Sequence, residues 1–474
     1  MKNAFRTGGP QRRPNSLLLS LALVAYLTQP AAAQSLAPAK GPRNITFGPD
    51  GVVFPGQSSK LGQVEPGIAV NPADPLNLVA GFFEYPSPLK SVPCRFAFTT
   101  DGGVTWSAGG SVPLQTQGDF CADPSIAADA TGNFYYAYID DSPGKGQTVG
   151  STNIQVAKST DGGRSFPTFS IADQGVSNDK SYLTVDTQPR SRFNGTVYVA
   201  YTSSGVGVRV AVSRDGGLTW SAPVAVTSTT ISQLGTLPVV APDGTVYVFY
   251  AESNNTMGSL GIMFAKSADG GLTWSPPGAV ATHLPSPAFF NLRNADPKFG
   301  SAAGPGLFSN SMPAASIAPD GTIFVAWVDF PQGSCLDVLS NHAPCTNSDV
   351  RLSVSRDGGN SWTAPVKVSD ETNSTDQFFP WMATHPDGLL SIIWLDKRLD
   401  PNNQNYDAFY TNTADGVTFL PNVRVSTVTS IIGKTTFIGD YNGLAVSAGS
   451  VIPVWNDKRL QLPAVFSAVG TLAP

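Results

Sequence analysis

The sequence predicts an all-β fold in which small four-stranded sheets repeat around a ring. Three observations predict it. The composition favours turns over helices, one turn motif recurs along the chain, and a second motif recurs upstream of each turn. The 474 residues include 47 Gly and 39 Pro, aromatics reach 10%, and only 13% are charged. Gly and Pro at this density punctuate short strands, whereas a helical bundle needs more Lys, Glu, Leu and Ala. Lys and Arg number 29 against 34 Asp and Glu, a net charge of −5. That balance leaves no cationic surplus to displace counterions, which excludes a nucleic-acid partner. Only four of the acids are Glu (Glu65, Glu84, Glu252, Glu371). Asp suits turns, where its short carboxylate caps backbone N–H groups. The few Glu therefore invite individual attention.

Residues 1–33 read as an export signal. Lys2, Arg6, Arg12 and Arg13 form a basic start, and Leu17 to Leu27 is an apolar run too short to span a bilayer. Ala31-Ala32-Ala33 then offers a small-residue cleavage site. The expected location is exported, either periplasmic or extracellular, without a membrane anchor. Residues 34–60 form an N-terminal segment, and residues 61–474 carry the repeats. Four cysteines (Cys94, Cys121, Cys335, Cys345) in an exported chain suggest two disulfides. Neither they nor the three His (His283, His342, His385) show metal-ligand spacing.

The turn motif is Ser or Thr, any residue, Asp, Gly, often Gly, two residues, then Trp or Phe. It runs Thr99 to Trp106, Ser159 to Phe166, Ser213 to Trp220, Ser267 to Trp274 and Ser355 to Trp362, with a degenerate copy from Thr413 to Phe419. The Asp closes a tight turn by accepting backbone N–H bonds, and the glycines supply positive φ. The upstream motif opens a strand with a polar or acidic residue. Its copies start near Glu65, Asp123, Asp179, Leu234, Asn310, Gln377 and Gly439, which makes seven units. An apolar strand follows each, such as Val197 to Tyr201, then a third strand into the turn and a fourth after it. Four strands per radial unit describe the blade of a β-propeller. Seven blades are expected, with six as the alternative. The last unit lacks an outer strand, and Gly51 to Phe54 is placed to supply it and remove an open edge.

The turn motif resembles the Asp box of bacterial-neuraminidase (BNR) repeats in sialidase-like β-propellers, over roughly residues 60–470. The resemblance implies a glycoside hydrolase of the exo-α-sialidase type. Such enzymes hold the substrate carboxylate with three arginines and use an Asp acid/base and a Tyr/Glu nucleophile pair. The family's Arg-Ile-Pro element has no better match here than Arg43-Asn44-Ile45.

Blade topology gathers first-strand starts and second-strand ends on one face, here called the top. The long insertions fall there too, and function concentrates on loops held by a rigid scaffold. Glu65 and Asp123 open neighbouring first strands and are the acid/base candidates. Tyr441, assisted by Glu252 or Asp440, is the nucleophile candidate. Trp394 to Arg398 and Trp455 to Arg459 repeat one pattern, so Arg398 and Arg459 are candidates to grip an acidic sugar, with Arg293 as a third. Asp179 is a further substrate-binding candidate. No cofactor is expected, although a carboxylate cluster would suit a structural Ca²⁺. The expected partner is a glycan or glycoconjugate, bound by a monomer. Two alternatives stand beside hydrolysis of sialosides: a hydrolase or lyase of another polysaccharide, and a non-catalytic propeller that binds glycan or protein. Cys94 and Cys121 both fall on the top face, and Cys335 and Cys345 share one top loop, so these are the expected disulfide pairs.

Overall fold

A computed structural model describes residues 41–56, 61–85, 93–115, 120–141, 152–175, 177–227, 232–254, 259–284, 289–292, 307–330, 347–432 and 437–474. The expected export signal, Arg293, Cys335 and Cys345 lie outside these residues. The described chain is all-β and forms a propeller of seven blades. Within a blade each strand pairs antiparallel with the next. In blade 3 the order is Asn178–Val185, Val197–Ser203, Gly207–Ser213 and Val224–Ala225. Blade 7 takes its outer strand from the other end of the sequence: Val52 pairs with Phe466 and Gly51 with Ser467. Ile45–Phe47 adds a further strand on Gly470–Leu472. The ring is thus closed by both ends of the propeller segment.

Second strands such as Val197–Ser203, Ile323–Asp329 and Leu390–Asp396 are buried at every residue. Each lies in a sheet covered on both faces by neighbouring blades, so the strands read as near-continuous apolar runs. Trp327, Trp394 and Trp455, all fully buried, fill the space between sheets.

The recurring Ser/Thr-x-Asp-Gly motifs, here called boxes, are turns between third and fourth strands. In the box of blade 3, Asp215 accepts from the Thr219 N–H at 2.9 Å and from the Thr219 hydroxyl at 2.6 Å, and Ser213 donates to it at 2.8 Å. The same bonds recur at Asp101, Asp161, Asp269, Asp357 and Asp415. Hydrogen bonds led by Thr273 hold the Asp269 carboxyl down at about 2. The second glycine of a box faces the preceding blade. A Cβ on Gly163, whose φ is +80°, would stand 2.0 Å from Val79 Cγ2. Both the turn and the blade packing therefore demand glycine there.

Candidate functional site at the channel mouth

Five of the seven first strands begin at the top with the same irregularity. The register shifts at Val64/Gly67, Ala122/Ser125, Asp179/Tyr182, Leu234/Leu237 and Phe378/Trp381. These are bulges, which bend the strand and re-aim a side chain. In blade 4 the bulge holds Gly235 at φ 67°, where glycine is at ease. In blades 1, 2, 3 and 6 the same position holds Glu65, Asp123, Lys180 and Phe379 at φ 51–56°. A non-glycine residue in this region costs on the order of 1–3 kcal/mol and persists only where its surroundings hold it.

Three of these strained residues meet at the top of the central channel. Lys180 Nζ lies 2.8 Å from Asp123 Oδ1 and 3.3 Å from Glu65 Oε1, and it also pairs with Asp440 of blade 7. The Lys180 backbone N–H donates to Asp123 Oδ2 at 3.1 Å. Asn310 donates to the Asp440 backbone carbonyl at 2.9 Å, and the Thr236 hydroxyl donates to the Lys180 carbonyl at 3.3 Å. Blades 1, 2, 3 and 7 are thus stitched around one ammonium group, with Thr236 of blade 4 and Asn310, which leads into blade 5, bracing the backbone beside it. Glu65, Asp123, Lys180 and Asp440 are all buried. Asp179, next in sequence to Lys180, is exposed at the mouth.

The surroundings push these carboxyls apart. For Asp123, burial opposes ionisation, but the Lys180 charge and hydrogen bonds from Glu65, Lys180 and Asp179 prevail and hold it at about 2. Glu65 is raised well above the carboxylate range by burial and by the Asp123 and Asp440 charges, against the pull of Lys180. Asp179 is exposed as a residue, but its carboxyl lies close to Asp123, Lys180 and Asp440. Loss of water there, then the Asp123 charge, raises it to about 7. Lys180 stays firmly protonated: burial works against its charge, and the surrounding carboxylates overcome it.

Tyr441 reaches the same centre, but with its ring. Its hydroxyl donates to the Pro124 carbonyl at 3.0 Å and is buried. That bond engages the proton of the hydroxyl expected to act as nucleophile. Tyr441, Tyr182 and Trp381 pack ring against ring, with centroids 5.3–6.0 Å apart. They plug the channel directly beneath Lys180, whose Nζ is 6.0 Å from the Tyr441 ring centre. The void beside the plug measures about 30 Å³, room for little more than a water. Below it the channel opens again at the bottom as a cavity of about 540 Å³, walled in part by Val70, Pro242, Ile317 and Val446.

The other candidates stand apart from the cluster. Glu252 accepts from Gln233 Nε2 at 2.9 Å within blade 4. Arg398 pairs with Asp396 at 2.7 Å and Glu371 at 3.2 Å, as well as with Asp370, and lies 4.3 Å over the Phe409 ring. Arg459 repeats this with Asp457 at 2.6 Å, Asp50 at 2.7 Å and the Phe466 ring at 4.3 Å. Protein carboxylates take both guanidinium groups. In blade 7 this fastens the ring-closing N-terminal segment through Asp50.

Lys180 is the hub that sequence reasoning did not single out. Its signal was positional: it is a cation at the bulge where blades 1 and 2 carry acids. Among the described residues, no group of three His, Cys, Asp or Glu is arranged to hold a metal ion. In this cluster the ammonium of Lys180 fills the place between the carboxylates. Cys94 and Cys121 form the expected disulfide.

No family model matches the chain, and no curated protein matches its sequence. Solved structures share its fold. An ulvan lyase, a polysaccharide lyase, superposes with a TM-score of 0.52 at 11% identity, covering 86% of this chain and 93% of the lyase. A protein of unknown function from Dyadobacter fermentans gives 0.49 at 13% identity, over 90% of this chain and 99% of its own. An intramolecular trans-sialidase from Ruminococcus gnavus gives 0.48 at 12% identity, over 79% and 98%.

Proposed function

We propose that this chain is an exported, glycan-active propeller that cleaves a glycosidic bond at its top channel mouth. The observation that carries the reading is the carboxyl of Asp179, a residue open at the mouth, set against a buried, ionised Asp123 that is pinned by Lys180. The Asp179 carboxyl holds its proton up to about pH 7 and belongs to a residue open at the mouth, which suits a general acid for a leaving oxygen. Once ionised, it serves as the base for the incoming water. Asp123, with both oxygens already engaged, contributes a fixed negative charge beneath the positive charge that develops at the sugar. Glu65 and Asp440 hold the same hub and lend it rigidity.

The Asp-box repeats favour a sialoside as one substrate within this reading. The engagement of Arg398 and Arg459 by carboxylates favours a neutral glycan instead. The test is to incubate the purified protein with a fluorogenic sialoside and with panels of neutral and uronic glycans, following both reducing ends and unsaturated products. Release from a neutral glycan that is lost in Asp179→Asn supports the hydrolase. Unsaturated products from a uronic glycan point to a lyase. Binding without release from any substrate leaves a glycan-binding propeller. Sequencing the N-terminus of secreted protein tests export: a mature chain starting near Gln34 is expected.

A further inference from the structure

The hub contains one polar atom without an explanation. Glu65 Oε1 faces Lys180 at 3.3 Å, but Oε2 is buried with no donor in reach. The residue is 1% exposed and held in the left-handed region at φ 56°. A buried carboxylate oxygen without a donor loses its hydration with nothing in return. A proton on that oxygen reverses the balance, because the carboxyl then becomes a donor, and the acceptor beside it is Asp123.

We infer that Glu65 is a positioning residue that carries a proton in the resting protein and donates a hydrogen bond through it to Asp123. Asp123 then receives hydrogen bonds from Glu65, Lys180 and Asp179 together. The groups facing Glu65 are Lys180, Asp123 and Asp440, with the phenols of Tyr182 and Tyr441 below. One ammonium is set among three carboxyls, so a neutral Glu65 leaves Lys180 facing two anions rather than three. This inference rests on the proposed role of Asp179 in one respect: the Glu65 proton draws on the same Asp123 oxygens that hold Asp179. It thereby sets how tightly Asp179 keeps its own proton.

The sign of that coupling separates the two protonation states. If Glu65 is a donor, Glu65→Leu makes Asp123 a stronger acceptor for Asp179. The alkaline limb of kcat/KM then moves up by about one pH unit, a tenfold change. Glu65→Gln, whose amide also donates, brings the limb back. If Glu65 is an anion, both variants remove a negative charge near Asp179, and both move the limb down. Infrared spectroscopy of the unmodified protein, well above neutral pH, gives a reading independent of turnover. The carbonyl stretch of one protonated carboxylic acid is expected, and it should vanish in Glu65→Gln. Absence of that band, or its survival in Glu65→Gln, overturns the inference whether or not any glycan is cleaved. If Glu65→Leu does not fold, the band in the unmodified protein and in Glu65→Gln decides alone.

Discussion

Lys180 and Asp440 form an ion pair across the channel although 260 residues separate them. Blade 3 is thereby tied to blade 7, the blade that also receives the N-terminal strand. The contact belongs to no single sheet. It spans the ring at its inner edge, while the Asp50–Arg459 pair fastens blade 7 to the N-terminal segment.

Removing the ammonium should therefore loosen the ring as a whole. Lys180→Met leaves Asp123 and Asp440 buried without their cation, and losing one partner of such a group typically costs about 3–5 kcal/mol. Denaturant unfolding measured at neutral pH should show a loss of this size. A loss below about 1 kcal/mol would contradict the hub.

Activity should follow Asp179. With its carboxyl raised to about 7, the acid form is present below that pH, so kcat/KM should decline as pH rises through it. Asp123 stays ionised down to about 2 and should leave no limb near neutrality. Asp179→Asn should lower kcat by about 10²–10⁴-fold. A pH profile unchanged by that substitution would move the acid elsewhere.

The Asp-Gly turn motifs should matter to the fold and not to turnover. Asp215→Ala removes the turn bonds to Thr219 and should cost roughly 1–2 kcal/mol while kcat is kept. The pH effect has a definite sign. Box carboxyls such as Asp269, and Asp123 in the hub, have folded values below those of an unfolded Asp. The stability they contribute is present above the unfolded value and is lost as pH falls through about 2. Asp179 runs the opposite way: its contribution is full below the unfolded value and fades as pH rises through about 7. Thermal melts between acid and neutral pH, with and without Asp179→Asn, measure both effects.

The Cys94–Cys121 bridge ties the start of a third strand in blade 1 to the first strand of blade 2. Replacing both residues with Ser should cost about 2–4 kcal/mol. Peptide mapping under non-reducing conditions should recover the two cysteines in one linked pair.

Repetition made the fold legible before any geometry was known. The Asp-Gly turn motifs mark one turn in each of six blades, and the polar strand starts, counted separately, give seven units. The lone segment around Gly51 announced ring closure because the last unit lacked a strand. The site was legible only in part. Polarity at strand starts pointed to Glu65, Asp123, Asp179 and Asp440. It did not show that Lys180 binds three of them, because that convergence depends on bulges and on which blades face each other across the channel. The repeated Trp-x-Asp-Lys-Arg pattern looked like a substrate clamp for the same reason. In both blades the Trp indole and the Arg guanidinium bond the same Asp, at 2.8 and 2.7 Å in blade 6 and at 3.1 and 2.6 Å in blade 7. A sequence displays the repeated charge but not the partner already waiting for it.

The packed rings of Tyr182, Trp381 and Tyr441 turn a potential tunnel into two dead ends. A polymer entering at the top has no far exit, so it can only be presented by a terminus or draped across the rim. Product must retreat along the route by which substrate arrived. Under the proposed chemistry, each encounter yields one cut followed by release, and a long glycan shortens by repeated separate visits, never by continuous passage.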